Sequence, residues 1–552
     1  MYKFFILMTI CLVLNSCGSG KKALDGTGAP HFTWDNANVY FLLTDRFYNA
    51  DKSNDFQHPV PPAPYRGYMG GDIKGITAKI NEGYFDKLGI DAIWMTPLLQ
   101  NIEGYVDEGT GISYGFHGYW TKDWTKIDTR LGTEDDVREM VKAAHKKGIR
   151  ILMDAVINHT GPVTPTDPQW SNDWVRTEPN CTYKDYKTTI ECTLVKNLPD
   201  IKTESKKEVT IPVALAEKWK KEGRYDQEVK ELDAFFKRTG YPRLPYYYII
   251  KWLTDLIREF GIDGFRVDTV KHTEENVWKD LEIESSKAFE DWKKQNPKDK
   301  LDDQPFFMVG EVYNYYIGAG RWFDFGDQKV DYFDNGFHSL INFDFKYDAN
   351  KTYSELFNKY AHILGKDLQG KSVMNYISSH DDGGPFDKER KRTFESATKL
   401  LLTPGQSQIY YGDESARSLS VAANGDATLR SFMNWDEHYQ EANKSLIKHW
   451  QKLGQFRKNH PAVGAGQNID YGHNVYGRTY KKDKYTDHVV IAVDQKKGPK
   501  IIQTGTHFAE GQFVMDRYSE ISAQVKNGKV VINSPYDIVL LESISNKLLS
   551  NK

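Results

Sequence analysis

Cysteine is scarce, with four residues in 552. That excludes a small fold stapled by disulfides and a cysteine-rich metal centre. A charge excess of one sign is also missing, since 73 Lys and Arg stand against 76 Asp and Glu. No field exists to hold a polyanion and no basic run interleaves with aromatics, so no nucleic-acid partner is expected. Long apolar runs are absent too. The one marked run, residues 4–14 after Lys3, is too short to span a bilayer, and no later stretch is long enough. It has the length and flank of a signal-peptide core.

That run ends in Leu14-Asn15-Ser16-Cys17, followed by Gly18-Ser19-Gly20. The string resembles the lipobox of bacterial lipoproteins, which implies removal of residues 1–16, a lipid on Cys17 and a flexible tether over 17–34. An exported, membrane-anchored protein of the cell envelope is therefore expected. Cys11 would leave with the signal. Cys181 and Cys192 then remain, free to pair in an oxidising compartment.

What is abundant is aromatic surface, with 13 Trp and 33 Tyr. Flat rings fill a large core and also stack on sugar faces. The length predicts two or three domains. From residue 35 onward, helix and strand patterns alternate. Residues 39–43 read as a strand, 76–88 as a helix closed by Gly89, and 90–95 as a strand. Thr133 and Asp136 offer a capping box ahead of the apolar face Val137, Met140, Val141 and Ala144. Gly148 stops that helix before a strand over 149–153. The unit returns with Ile250, Leu253, Ile257 and Phe260, a Gly261 stop and a strand over 262–267. Repeated βα units predict a parallel sheet closed as a (β/α)8 barrel.

The pattern breaks over 160–246, a polar stretch too long for a βα loop, which reads as a subdomain inserted after the third strand. The barrel would thus comprise 35–159 and 247–462. Beyond it, short strand patterns at 475–480, 488–493, 501–503, 530–532 and 538–541 suggest a C-terminal antiparallel β-sandwich over 463–552.

Three carboxylates stand where a short apolar run breaks into polar residues: Asp268 after Gly264-Phe265-Arg266-Val267, Glu311 after Phe306-Phe307-Met308-Val309-Gly310, and Asp381 after Ile377-Ser378-Ser379-His380. Such breaks are how the carboxyl ends of buried parallel strands read, and in a barrel those ends converge on one face. Together with Asp154-Ala155-Val156-Ile157-Asn158-His159 and Leu198-Pro199-Asp200, these strings resemble, in order, the motifs of the α-amylase family of glycoside hydrolases. The resemblance covers nearly the whole mature chain.

It implies a retaining enzyme for α-1,4-glucosidic bonds of starch and maltooligosaccharides, with α-glucan as partner and a monomer expected. Asp268 would be the nucleophile, Glu311 the general acid and base, and Asp381 the carboxylate that holds and distorts the sugar. Arg266 would keep Asp268 ionised, while burial and negative neighbours should raise the Glu311 pKa. His159 and His380 would donate to glucose hydroxyls. Lys271 and His272 would contact the leaving-group sugar, and Asp426 with Arg430 the ring bound by the nucleophile. Two departures are visible: Phe116 stands where the family usually has Tyr, and Ser379 where it usually has Asn.

The resemblance also implies Ca2+. Asn158, Asp200 and the His272 carbonyl would join barrel to insertion, because calcium accepts mixed carboxylate and carbonyl oxygens in flexible geometry. Asn49, Asp51, Asn54 and Asp55, with Gly70 and Asp72, resemble the N-terminal calcium loop of cyclodextrin glucanotransferases. That similarity makes transglycosylation the main rival reading, with α-glucosidase or cyclomaltodextrinase specificity behind it. Such glucanotransferases carry an aromatic ring four residues before the Asp matching Asp200, where this chain has Lys196. A non-catalytic glycan-binding lipoprotein should lack at least one of the three carboxylates, and all are present.

Overall fold

The computed structural model describes residues 31–107 and 109–544. Residues 1–30, with Cys17 and most of the expected tether, lie outside this description. Eight parallel strands close into a barrel: β1 (Asn38–Leu42), β2 (Ala92–Met95), β3 (Arg150–Ala155), β4 (Gly264–Val267), β5 (Phe307–Gly310), β6 (Ser339–Asn342), β7 (Ser372–Tyr376) and β8 (Gln406–Tyr410). β1 pairs with β2 on one side and β8 on the other, which closes the ring. Every residue of β1 is buried, because one face fills the barrel while helices cover the other. Phe41 stacks on Trp94, ring centroids 3.7 Å apart, and on Tyr410 at 5.5 Å, its register partners on the two neighbouring strands.

The helices start and stop where their chemistry directs. Glu134–Lys146 opens on the expected capping box of Thr133 and Asp136 and buries Val137, Met140, Val141 and Ala144. Pro245–Phe260 has proline in its first turn and ends at Gly261, whose φ of 72° suits glycine. The helix expected over 76–88 is instead two, Ile73–Asn81 and Tyr84–Leu88, parted at Gly83 with φ 73°. It also starts earlier, because the Asp72 side chain caps it by accepting from the Gly75 amide. The strand expected from residue 90 begins at Ala92: the Ile90 amide is spent on Phe85 and the Asp91 carboxylate on the Asn38 amide.

Two excursions leave the carboxyl-terminal end of the barrel. After β2, Leu99–Asn101 pairs with Thr121–Ile127. After β3 the chain departs and returns at the helix beginning with Pro245. This long excursion is stitched to the end of β3, where the Ile201 amide donates to the Asn158 carbonyl at 2.8 Å and the Thr160 amide to the Pro199 carbonyl at 3.0 Å. Cys181 and Cys192 are disulfide-bonded within it. Its polar composition hides a tryptophan cluster, in which Trp174 and Trp219 lie 6.5 and 6.1 Å from Trp252 of the barrel.

The C-terminal region is antiparallel. A six-stranded sheet faces the ribbon Gly498–Gln503 with Lys529–Ser534 across a core that includes Val490, Ile502, Val514, Ile532 and Leu541. Three of its strands carry no clear sequence signal: Gln467–Asp470, Phe513–Asp516 and Ile521–Gln524. Among the described residues, no helix is long and apolar enough to cross a membrane.

Candidate active site

Register builds the centre of the site. Arg266 on β4 lies directly beside Asp154 on β3, so the two inward side chains meet in the barrel. Arg266 is 1% exposed and serves three carboxylates. Its Nη1 donates to Asp154 Oδ1 at 2.8 Å and to Asp268 Oδ1 at 2.7 Å, and its Nη2 lies 2.9 Å from Glu311 Oε1. Asp268 and Glu311 each stand one residue past a strand end, their amides donating to Ala155 and Val267. Thr269 follows with φ 49°, a left-handed turn that non-glycine residues seldom adopt. That turn points the Thr269 amide at Glu311 Oε2, 3.1 Å away.

The electrostatics single out Glu311. Burial raises the Glu311 pKa to about 8; Arg266 opposes this, while Asp268 and Asp381 reinforce it. Glu311 therefore holds a proton near neutrality, the state a general acid needs. Asp154 is raised to about 6 by burial, against the pull of Arg266. It also accepts from Trp94 Nε1 at 3.0 Å and Tyr119 Oη at 2.8 Å.

Asp381 lies across from this cluster, past the end of β7, and its side chain is 39% exposed. Arg430 Nη2 donates to its Oδ1 at 2.6 Å and lies 2.5 Å from Asp426 Oδ2, while Arg430 Nε donates to the His380 carbonyl at 3.1 Å. His380 is buried, with Nε2 3.1 Å from Asp381 Oδ2 and its ring stacked on Tyr119 at 5.4 Å. Burial, then Arg430 and Arg266, push its pKa well down, so the ring is neutral. His159 is buried, with Nε2 3.2 Å from the Tyr119 carbonyl, and burial lowers its pKa. Phe116 is 2% exposed, with the Arg46 guanidinium 3.8 Å above its ring. Ser379 leans on His380 Nδ1 at 3.3 Å.

Lys271 and His272 form one wall. The Lys271 ammonium lies 5.3 Å from the Tyr313 ring and 5.5 Å from Tyr183. His272 Nδ1 is 3.0 Å from the Thr189 carbonyl of the insertion, and burial followed by Lys271 lowers its pKa to about 4. Three residues belong to this site without any role assigned from sequence: Asp154, Tyr119 and His117. Asp154 was visible only as a motif member, because its partner Arg266 is a cross-strand neighbour. His117 is buried, accepts from the Tyr119 amide at Nδ1, and is held neutral by burial and Arg430.

The residues named for calcium fall into two groups. Asn158 Nδ2 lies 3.4 Å from Asp200 Oδ1. Asp200 is buried, accepts 3.4 Å bonds from the Asn158 side chain and the Leu194 amide, and burial pushes its pKa well up. In the second group, Asn49 Nδ2 donates to Asp55 Oδ1 at 2.7 Å, and the Oδ1 atoms of Asn49 and Asn54 are buried without a hydrogen-bond partner. A Cβ on Gly70 would meet Asn49 and Asp55 at 2.4 and 2.5 Å, so the loop closes tightly there. Asp51 is committed to Lys74 and Ser53, and Asp72 to the amides of Ala50, Asp51 and Gly75. Among the described residues no three His, Cys, Asp or Glu side chains gather as a metal site. A cation in either place would draw on amide and backbone oxygens, which suits calcium.

A parallel βα barrel with paired acids on its carboxyl-terminal face, both bonded to one buried guanidinium and one of them kept protonated by burial, is the arrangement of a glycoside hydrolase. The chain matches the family described as alpha amylase, catalytic domain, over residues 41–466. It belongs to the α-amylase family and is a glycoside hydrolase of that type. The periplasmic alpha-amylase of Escherichia coli K12 is 35% identical over 516 residues, covering 81% of this chain and 70% of that one. A cyclomaltodextrin glucanotransferase of Geobacillus stearothermophilus is 26% identical over 534 residues, and this chain spans 65% of its length. The fold resembles that of an Anoxybacillus alpha-amylase, with TM-score 0.65 at 23% identity over 94% of this chain and all of that one.

Proposed function

We propose that the protein hydrolyses internal α-1,4-glucosidic bonds of starch and maltooligosaccharides with retention of configuration. The observation that carries this reading is the single buried guanidinium bonded through different nitrogens to Asp268 and Glu311. Asp268, paired with Arg266, attacks the anomeric carbon. Glu311, protonated, gives its proton to the leaving oxygen and then takes one from the incoming water. Asp381 and Arg430 hold the hydroxyls of the ring under attack, and neutral His380 can donate to it, while the one N–H of neutral His159 is engaged by the Tyr119 carbonyl. Hydrolysis is favoured over cyclisation because Lys196 is exposed. A flexible charged chain offers no flat apolar post for a glucan to wrap.

Calcium belongs to the same proposal. Asn158 and Asp200, with the His272 carbonyl, would hold one ion, and Asn49, Asn54, Asp55 and Gly70 would hold a second. Each would neutralise buried oxygens that the protein leaves poorly partnered.

Proton NMR of the first products from maltoheptaose tests the chemistry. The α-anomer should appear before mutarotation, and chromatography should show linear products. Early β-anomer would overturn retention. Abundant cyclic products would instead transfer the enzyme to the glucanotransferases.

A further inference from the structure

Residues 181–192 form a loop closed by the Cys181–Cys192 disulfide and lodged between two strand-end loops of the barrel. On one side the Thr189 carbonyl lies 3.0 Å from His272 Nδ1, and the Tyr183 ring stands edge-on to the same imidazole, centroids 5.9 Å apart. On the other side the Tyr186 amide donates to Asp327 Oδ1 at 2.9 Å. The Tyr186 ring packs 5.0 Å from Phe325, beside the hairpin of Phe323–Asp324 with Lys329–Val330 that follows β5. The loop thus grips the residue after Lys271 from the insertion side.

Its outward ring faces solvent beside Lys271 and His272. Tyr183 is 52% exposed and Tyr313 is 45% exposed, and the Lys271 ammonium sits between them. Exposed rings flanking a cation make a platform for a sugar face. Tyr183 holds φ at 55°, a conformation that costs a non-glycine residue on the order of 1 kcal/mol and must be imposed from outside. Within the loop the hydrogen bonds gather around Asp185, Thr188 and the helical turn Lys187–Ile190, while the Thr182 amide reaches the Thr188 carbonyl by a long 3.3 Å bond. None of its residues touches Arg266, Asp154, Asp268 or Glu311.

We propose that this disulfide-closed loop is a specificity element: it positions His272 and presents Tyr183 to the leaving-group side of the glucan, so long substrates depend on the disulfide while bond cleavage does not. The proposal rests on the α-glucan hydrolase reading above.

The test compares kcat and KM on maltoheptaose with those on a nitrophenyl α-maltoside, whose small leaving group barely reaches the loop. In the full chain, Cys181→Ser with Cys192→Ser should raise KM for maltoheptaose about three- to tenfold, the worth of one lost aromatic contact. The aryl substrate's kcat should stay within about twofold, as for a variant whose transition-state contacts are intact. Equal losses on both substrates, or an unchanged KM for maltoheptaose, would overturn it. Should the double variant not fold, Tyr183→Ala decides, since Tyr183 is an exposed side chain: an unchanged KM for maltoheptaose defeats the proposal. Wild-type protein without action on maltoheptaose would instead defeat the functional reading beneath it.

Discussion

Substituting Asp268 by Asn keeps the shape of the side chain but removes the attacking charge. Turnover of maltoheptaose should fall at least about a thousandfold, with the melting temperature little changed. Glu311 carries a second, pH-dependent signature. Its carboxyl, raised to about 8 chiefly by burial and helped by Asp268 and Asp381, is protonated below that pH and loses its proton above it. The plot of kcat/KM against pH should therefore drop on the alkaline side near 8. Asp381→Asn removes one of the negative charges that raise Glu311, so the alkaline limb should move to lower pH on whatever activity remains. A limb that stays in place would separate Asp381 from the titration of Glu311.

Among the elements, the insertion is the one whose attachment can be probed directly. Asp200 sits at its seam with β3, buried and poorly partnered. An ion held there at a hundred times its dissociation constant contributes about 2.7 kcal/mol. Chelation should lower the melting temperature by several degrees, and Asp200→Ala should largely abolish that response. A chelator that strips the metal without moving the melting curve would remove the proposed joint. The elements also show what the sequence could and could not disclose. β4 and β5 read clearly because strands buried on both faces are short and mainly apolar, with Arg266 the charged exception in β4, and Asp268 and Glu311 mark where they end. Asp154 lies inside its strand, and its bond to Arg266 depends on a register that one-dimensional patterns do not contain. Gly83 reads as a tolerated helix residue until the left-handed turn splits the helix. Gln467–Asp470 shows no alternation because it is a largely exposed edge, with no buried face to write a pattern.

For the whole molecule, the joint between barrel and C-terminal sheet is an apolar core, with Phe456, Val463, Ile491 and Leu540 in one cluster, and it carries a buried charged group. His460, just past the helix Glu441–Asn459, is buried with Nδ1 2.8 Å from Asp487 and Nε2 2.8 Å from Glu542, both on strands of the sheet. Burial alone would lower its pKa, but the two carboxylates outweigh that and raise it to about 9. The imidazolium's contribution is then complete below about 6.5 and disappears as pH rises through 9; it is on the order of 3 kcal/mol. His460→Gln should lower the melting temperature at pH 7 and flatten its decline between pH 7 and 9. Equal slopes for wild type and variant would place the pH sensitivity elsewhere.

Closure of the barrel imposes a schedule on how the chain assembles. Asn38 and Ser407, neighbours across the β1–β8 seam, are 369 residues apart in sequence. As the polypeptide emerges from its N-terminus, β1 can find β2 early, yet its other flank stays a row of unpaired amides and carbonyls until β8 arrives. Bare strand edges invite pairing with other chains. The interval before residue 410 is delivered is thus the period when this protein is most exposed to aggregation, and every residue of the long insertion lengthens it.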